Sequence, residues 1–413
     1  MKIRKLLSAA SVAGIANTIA IHSSLAANAD FQSFFFDACI SPSGGLAARC
    51  AETNNGQGDL SGDSESSLNP SQALSTGDSA VLAAQQNSQE MRERLQGRRE
   101  DTYGGSYVEM GPWSFLLNAR YGGSERDRTV DVDAERGYEL DEYGADIGVD
   151  YRINDRLLWG VLLQWGSSDL EFDPENPGRN FDPATDAGNI ETDRLGILTF
   201  VSAAIGDNGY LDASLGYTDL DMETIRNSVF QESNRAIPQT NSITSASIGG
   251  QELMLSASAG YASQMGAWTI TPFIAATYID LSFDSYTETD ISSSGLAMEG
   301  RADDQTLVFG QVGARATRAV AMDGWVLVPQ LRFEYIGELD RDRSKTTLSY
   351  VNDANNNVLE LRGDETSSDR WDFAVGAVGI LQNGWVPYVE YQHTFGASNF
   401  DRYQINLGLR IEL

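Results

Sequence analysis

The chain has 413 residues, 59 Asp and Glu against 29 Lys and Arg, a formal net charge of −30 and a mean hydropathy of −0.30. So acidic a chain lacks the Lys and Arg needed to neutralise phosphates, which excludes sequence-independent binding of nucleic acid. The charge reads as solubility of surface loops; a specific Ca²⁺ site would need a twelve-residue EF-type loop, none is found, and no metal or cofactor is expected.

Met1-Lys-Ile-Arg-Lys5 is a short basic start, Leu6 to Ile21 is almost wholly apolar or small, and small residues follow at Leu25-Ala-Ala-Asn-Ala29. This is the pattern of a secretory signal peptide over residues 1–29. Its removal takes away Lys2, Arg4 and Lys5 and lowers the charge from −30 to −33. After it, no stretch approaches the roughly 18–20 apolar residues that a spanning helix needs.

Residues 30–77 form a short N-terminal segment with an aromatic cluster, Phe31-Gln-Ser-Phe-Phe-Phe36, and the only two cysteines, Cys39 and Cys50. In an oxidising compartment an even pair this close reads as one small disulfide loop. A metal pair is disfavoured because no histidine is near. Gly56–Gly77 is polar and reads as loop or linker.

Asp78 or Ser79 can cap a helix running to Gln96 and ended by Gly97. Roughly 18 helical residues rise about 27 Å, close to the thickness of a hydrocarbon layer. The first half is slim, with Ala80, Ala83, Ala84 and Ser88, and the end carries Arg92, Arg94, Arg98 and Arg99. Such a helix can thread a pore, its arginines facing lumenal carboxylates. The alternative is an amphipathic helix packed on the periplasmic side. Residues 98–111 are a spacer.

From residue 112 on, runs of period-two alternation recur between turn signals. They centre on Trp113–Tyr121, Tyr143–Arg152, Leu158–Asp169, Asp193–Ala203, Tyr210–Asp219 and Glu252–Ser263. The second half gives Trp268–Phe283, Thr306–Arg318, Trp325–Glu338, Arg370–Ile380, Trp385–Phe395 and Arg402–Leu413. Twelve such strands predict an all-β fold: a twelve-stranded antiparallel transmembrane β-barrel over 112–413, with the preceding α-helix in its lumen. Connections after the even strands are short, such as Gly206-Asp-Asn-Gly209 and Leu381-Gln-Asn-Gly384; those after most odd strands are long, such as Phe172–Thr192 and Leu339–Asp369. Tight periplasmic turns and long outer loops show that asymmetry, which places both barrel ends on the periplasmic side.

Parity assigns faces. In the ninth strand Trp325, Leu327, Pro329, Leu331, Phe333 and Tyr335 share the lipid side, while Gln330, Arg332, Glu334 and Glu338 share the lumen. Arg332, Glu334 and Glu390 are the expected lumenal contacts of the helix. Trp159, Tyr210, Trp268, Trp325 and Trp385 each open a strand beside a short turn and make an expected aromatic girdle. The final strand alternates without a break to its last residue, and Asn406-x-Gly408-x-x-Ile411-x-Leu413 resembles the C-terminal signal by which outer-membrane barrels are recognised for assembly.

Together these features resemble the autotransporter translocator domain over about residues 75–413. Local sequence agrees: Arg92-Glu-Arg-Leu95 with Arg98-Arg99, a short spacer and Trp113; Trp325-Val-Leu-Val-Pro329; Gly384-Trp-Val-Pro387. The resemblance implies that an N-terminal passenger crosses the outer membrane of a Gram-negative bacterium with the barrel's help, leaving the helix in the pore. The implied partners are outer-membrane lipid, the barrel-assembly machinery and periplasmic chaperones; any extracellular ligand is not readable. The departure is the passenger, too short here for a repeat stack or a catalytic domain. The competing reading is a stand-alone structural or small-solute-pore barrel with a periplasmic tail.

An enzyme is not expected. After the signal the single histidine is His393, on the lipid side with Val389 and Tyr391, and Phe395 stands where a lipid-facing phospholipase would place serine. No Gly-x-Ser-x-Gly elbow is present.

Overall fold

The computed structural model describes residues 29–103, 112–127, 136–173, 187–232, 238–341, 344–363, 369–397 and 400–412. The expected signal peptide therefore lies outside the described residues apart from Ala29, as do residues 104–111 of the spacer and Leu413.

Twelve strands make one closed wall: β1 (Trp113–Arg126), β2 (Tyr138–Asn154), β3 (Leu157–Phe172), β4 (Gly188–Ile205), β5 (Gly209–Phe230), β6 (Thr240–Tyr261), β7 (Trp268–Phe283), β8 (Gln305–Thr317), β9 (Trp325–Arg341), β10 (Arg370–Leu381), β11 (Trp385–Phe395) and β12 (Phe400–Glu412). Each pairs antiparallel with the next, and β12 closes on β1 from Ser114↔Glu412 to Arg126↔Phe400. Closure leaves no exposed edge around the wall. The turns after β4, β6, β8 and β10 contain Gly206, Gly266, Gly324 and Gly384 at positive φ, where a Cβ would be strained.

The wall is inside-out relative to a water-soluble core. Leu195 and Ile274 point outward at 64% and 63% exposure, whereas Asp146 and Glu334 point inward at 4% and 0%. Lipid solvates the first set and the lumen the second. On β9, Trp325 and Tyr335 stand ten residues apart, about 25 Å along the barrel axis at about 3.4 Å per residue and a tilt of about 40°. No helix among the described residues is long and apolar enough to cross a membrane, and the strands do the crossing.

β5 and β6 run well past their expected limits at Asp219 and Glu252. The period of two persists there, but its phase inverts. Asp219, Asp221 and Glu223 face outward while Leu220, Met222 and Ile248 are buried inside. A search for apolar-out strands stops where the outward face leaves lipid for water. Much of the acid excess sits on this collar, in cross-strand pairs such as Asp141↔Asp169, Asp193↔Asp221 and Glu191↔Glu223, and not only in loops. Facing like charges cost stability, which water at the loop end screens.

The N-terminal segment folds as three helices and a 3-10 turn: α1 (Ala29–Ala38), α2 (Gly44–Glu52), α3 (Gly62–Leu68) and Ser71–Ser75. The stretch read as loop or linker, Gly56–Gly77, thus contains structure. Its leucines supply the reason: Leu60, Leu68 and Leu74 are buried in a shared core. The expected linker composition hid three anchors spaced along a serine-rich run. The long connection after β9 also folds, as a hairpin of Lys345–Tyr350 with Leu359–Arg362, joined by Met298–Ala302 and Tyr286–Thr287 into a four-stranded sheet. Last comes α4 (Asp78–Tyr103), 26 residues long, which continues six residues beyond Gly97. A lone glycine inside a helix costs about 1 kcal/mol relative to alanine, and no proline follows to force a stop.

Candidate functional site: the lumen and its cap

α4 lies within the barrel. Its first turn is at the loop end, where Asp78 accepts from the Arg126 guanidinium and the Tyr138 hydroxyl, both at 3.0 Å. Its later turns reach inward residues nearer the turn end, Asp146 among them.

Three stripes of the helix meet three arcs of wall. Ala80, Ala84, Met91 and Leu95 share a core with Leu162, Leu198, Met254 and Ile279 of β3, β4, β6 and β7. Small residues let the helix lean closest to β5, β6 and β7, and Ser88 bonds Thr277 at 2.8 Å. The second stripe is Gln85, Gln89 and Arg92. Arg92 donates to Gln311 at 2.7 Å and to Glu334 at 3.1 Å. Gln89 donates to Asp372 at 2.7 Å, and Arg370 donates to Gln85. The third stripe is Gln86, Glu90 and Arg94. Arg94 pairs with Asp146 and with Glu90, the latter at 3.1 Å; Glu90 also accepts from Asn118 at 3.0 Å and Gln404 at 2.9 Å. The arginines are out of bulk water and set against carboxylates, Arg92 on Glu334 and Arg94 on Asp146 and Glu90. A cavity of about 60 Å³ remains on this side, between α4 and the wall at Arg315, Gln330, Tyr388 and Glu390.

Of the residues named from sequence, Arg92 and Glu334 meet directly. Arg332 pairs within the wall, with Glu334 and with Glu390, the latter at 3.2 Å, and Glu390 lines the cavity that Glu90 and Arg94 of the helix also face. Arg98 and Arg99 have side chains outside the described residues. Sequence reading missed Gln85, Gln86 and Gln89, because amides carry no charge signal, and also Glu90, because the arginines alone were expected to face the lumen. Helical spacing from Arg92 and Arg94 backwards selects all four.

The girdle needs one correction. Trp159, Trp325 and Trp385 are exposed outward and Trp268 partly so, but Tyr210 is 5% exposed. Gly209 opens β5, so Tyr210 falls on the inward parity and its ring lies over Gly260, where a Cβ would approach within 2.5 Å. Leu211 takes the outward position. In the closing strand Asn406 faces the lumen, and Gly408 lies beneath the Tyr388 ring, where a Cβ would fall 2.0 Å from it. Ile411 stands opposite Phe115 and Trp385. His393 faces outward with Nε2 3.6 Å from the Asp401 carboxylate.

Over the loop end sits the N-terminal cap. Phe31, Phe34 and Phe35 share a core with Phe230, Leu296, Met298, Leu348, Tyr350 and Leu361 of the wall's connections. Phe34 stacks on Tyr350 at 5.3 Å and Phe35 meets its edge at 5.7 Å. Cys39 and Cys50 are disulfide-bonded with Cα atoms 5.5 Å apart, tying the end of α1 to α2.

The family model of the autotransporter β-domain matches residues 117–392. The chain belongs to the autotransporter β-domain family. Its place is accordingly the outer membrane of a Gram-negative envelope. Among solved structures it is similar to the translocator domain of the autotransporter NalP from Neisseria meningitidis: TM-score 0.55, 17% identity, 83% of this chain and 99% of that one. At that identity the likeness shows the fold. The β-domain of the Bordetella autotransporter BrkA gives 0.48, 14%, 73% and 100%; the transport unit of AIDA-I from Escherichia coli gives 0.48, 9%, 75% and 92%. Among curated proteins none matches.

Proposed function

We propose that this autotransporter barrel carries its own N-terminal segment across the outer membrane and keeps it as a fixed cap, with α4 remaining in the lumen as tether and plug. The supporting observation is the path of the chain. α4 fills the lumen from loop end to turn end, so residues 29–77 emerge at the loop end and bury their aromatic residues there. With the short turns taken as the periplasmic end, the cap in this proposal lies at the cell surface. Handling by periplasmic chaperones and the barrel-assembly machinery, and solvation by outer-membrane lipid, belong to the same proposal. No catalytic step is part of it.

An epitope tag inserted after Asp30 tests this on intact cells, with heat-modifiable gel mobility as the folding control. Antibody access with the outer membrane sealed supports surface display. Access only after permeabilisation, with the barrel folded, makes the segment a periplasmic tail and the protein a structural or pore barrel.

A further inference from the structure

The cap's contact with the wall contains a feature that anchoring alone does not require. Beyond Arg226, where pairing with β4 ends at Gly188, one edge of β5 loses its strand partner. α3 covers that edge with hydroxyls. Ser64 Oγ accepts the Gln231 N–H at 2.9 Å and donates to the Gln231 carbonyl at 2.5 Å, and Ser67 Oγ accepts the Val229 N–H at 2.9 Å. An open edge is thereby satisfied without a strand.

Two carboxyl groups are buried in the same seam. Glu65 of α3 and Glu232, just past β5, are each 4% exposed. Glu232 accepts the Ser61 N–H at 3.1 Å, while Glu65 Oε1 is buried with no hydrogen-bond partner. Neither has an ion pair among the described residues, unlike the lumenal Glu334, Asp146 and Glu142. Among the described residues the other charged groups near the seam are Asp59, on the approach to α3, Arg136, whose guanidinium donates to the Ser67 carbonyl at 3.4 Å, and Arg49 of α2, which lies over the Phe230 ring and pairs with Glu52.

We propose that protonation of Glu65 and Glu232 seals this seam, so that the cap docks more tightly as its surroundings acidify. Burying an ionised carboxylate without a partner is costly, and protonation removes that cost. Burial pushes the Glu65 carboxyl up to about 7. Burial also raises that of Glu232, with Asp59 adding to it and the hydrogen bonds from Ser61 and Ser64 opposing. An acid raised in the docked state contributes its full stabilisation below the ordinary carboxylate range. That contribution is lost as pH climbs from about 4.5 to about 7 and then levels off. The device works on whichever side of the membrane the cap lies, so it stands independently of surface display.

The test is hydrogen–deuterium exchange on the full-length, membrane-embedded protein between pH 5 and 8, corrected for intrinsic exchange. Peptides covering residues 61–69 and 226–232 report the seam. The expected result is an opening constant that rises on the order of tenfold or more across this range, since each unit of pKa difference is tenfold. In Glu65→Gln with Glu232→Gln the profile becomes flat and the seam is protected at pH 8. Gly45→Val is the non-titrating control, because a Cβ at Gly45 runs into the Gly295 backbone at 2.6 Å; it loosens the cap at every pH and keeps the slope. A flat wild-type profile overturns the proposal, and so does an unchanged slope in the double variant. If the double variant fails to give folded, heat-modifiable barrel, Glu65→Gln alone must halve the slope or the proposal fails.

Discussion

The two sides of the lumen hold the same helix by different means. Towards β3–β7 the contact is slim and apolar: Ala80, Ala84, Met91 and Leu95 against leucines, methionine and isoleucine of the wall. Towards β8–β12, β1 and β2 the gap is wider, and long side chains span it with paired charges and amides. The difference teaches a division of labour. Apolar packing sets how close the helix lies to the wall, but one leucine contact resembles another and leaves sliding cheap. Charge pairs contribute less net stability once desolvation is counted, yet they are satisfied at one depth and rotation only. Arg92 meets Glu334 and Gln311 together, and a shift of one residue breaks both bonds.

Removing the helix from both sides at once has the largest expected effect. Deletion of residues 79–97 opens the lumen, and single-channel conductance in planar bilayers rises severalfold; unchanged conductance would mean that α4 does not plug the pore. Next is Glu334→Ala on the charged side. It strands Arg92, which is nearly fully buried, and leaves Arg332 to Glu390, and costs about 3 kcal/mol or more because an uncompensated buried charge remains. The readout is exchange protection of α4 in the folded barrel, and loss smaller than that of the apolar variant below would refute the asymmetry. Met91→Ala on the apolar side costs about 2 kcal/mol as a cavity, without changing helix depth. A spin-label distance from α4 to β2 should move in Glu334→Ala and stay in Met91→Ala.

The cap's docking, unlike a purely apolar seat, is expected to respond to pH, because Glu65 and Glu232 are buried there without an ion pair. The lumenal carboxylates Glu334 and Asp146 each sit against arginine.

Much of this was legible in the chain. Alternation around Trp325–Tyr335 and its counterparts states which face meets lipid, because lipid and water sort side chains one residue at a time. Short glycine turns against long connections gave the barrel its polarity. The spacing of Cys39 and Cys50 pointed to a loop, and the run from Ala80 to Arg94 to a pore helix. What sequence left open was partnership. Arg92 to Glu334 crosses 242 residues, and Phe34 to Tyr350 more than 300; no local pattern encodes which of many lumenal carboxylates a given arginine will face. Tyr210 shows the same limit at short range, since one glycine ahead of it reversed its face. The serine-rich run of 61–67 reads as linker in isolation; in the fold, buried Leu60 and Leu68 flank it and an unpaired strand edge takes its hydroxyls. Sequence by itself determined which face of most strands meets lipid, which is a local property of alternation. The tertiary structure decided the depth of the helix, the seat of the cap and the partners of the buried charges, because those depend on closing the wall and bringing distant strands within a bond length of one helix.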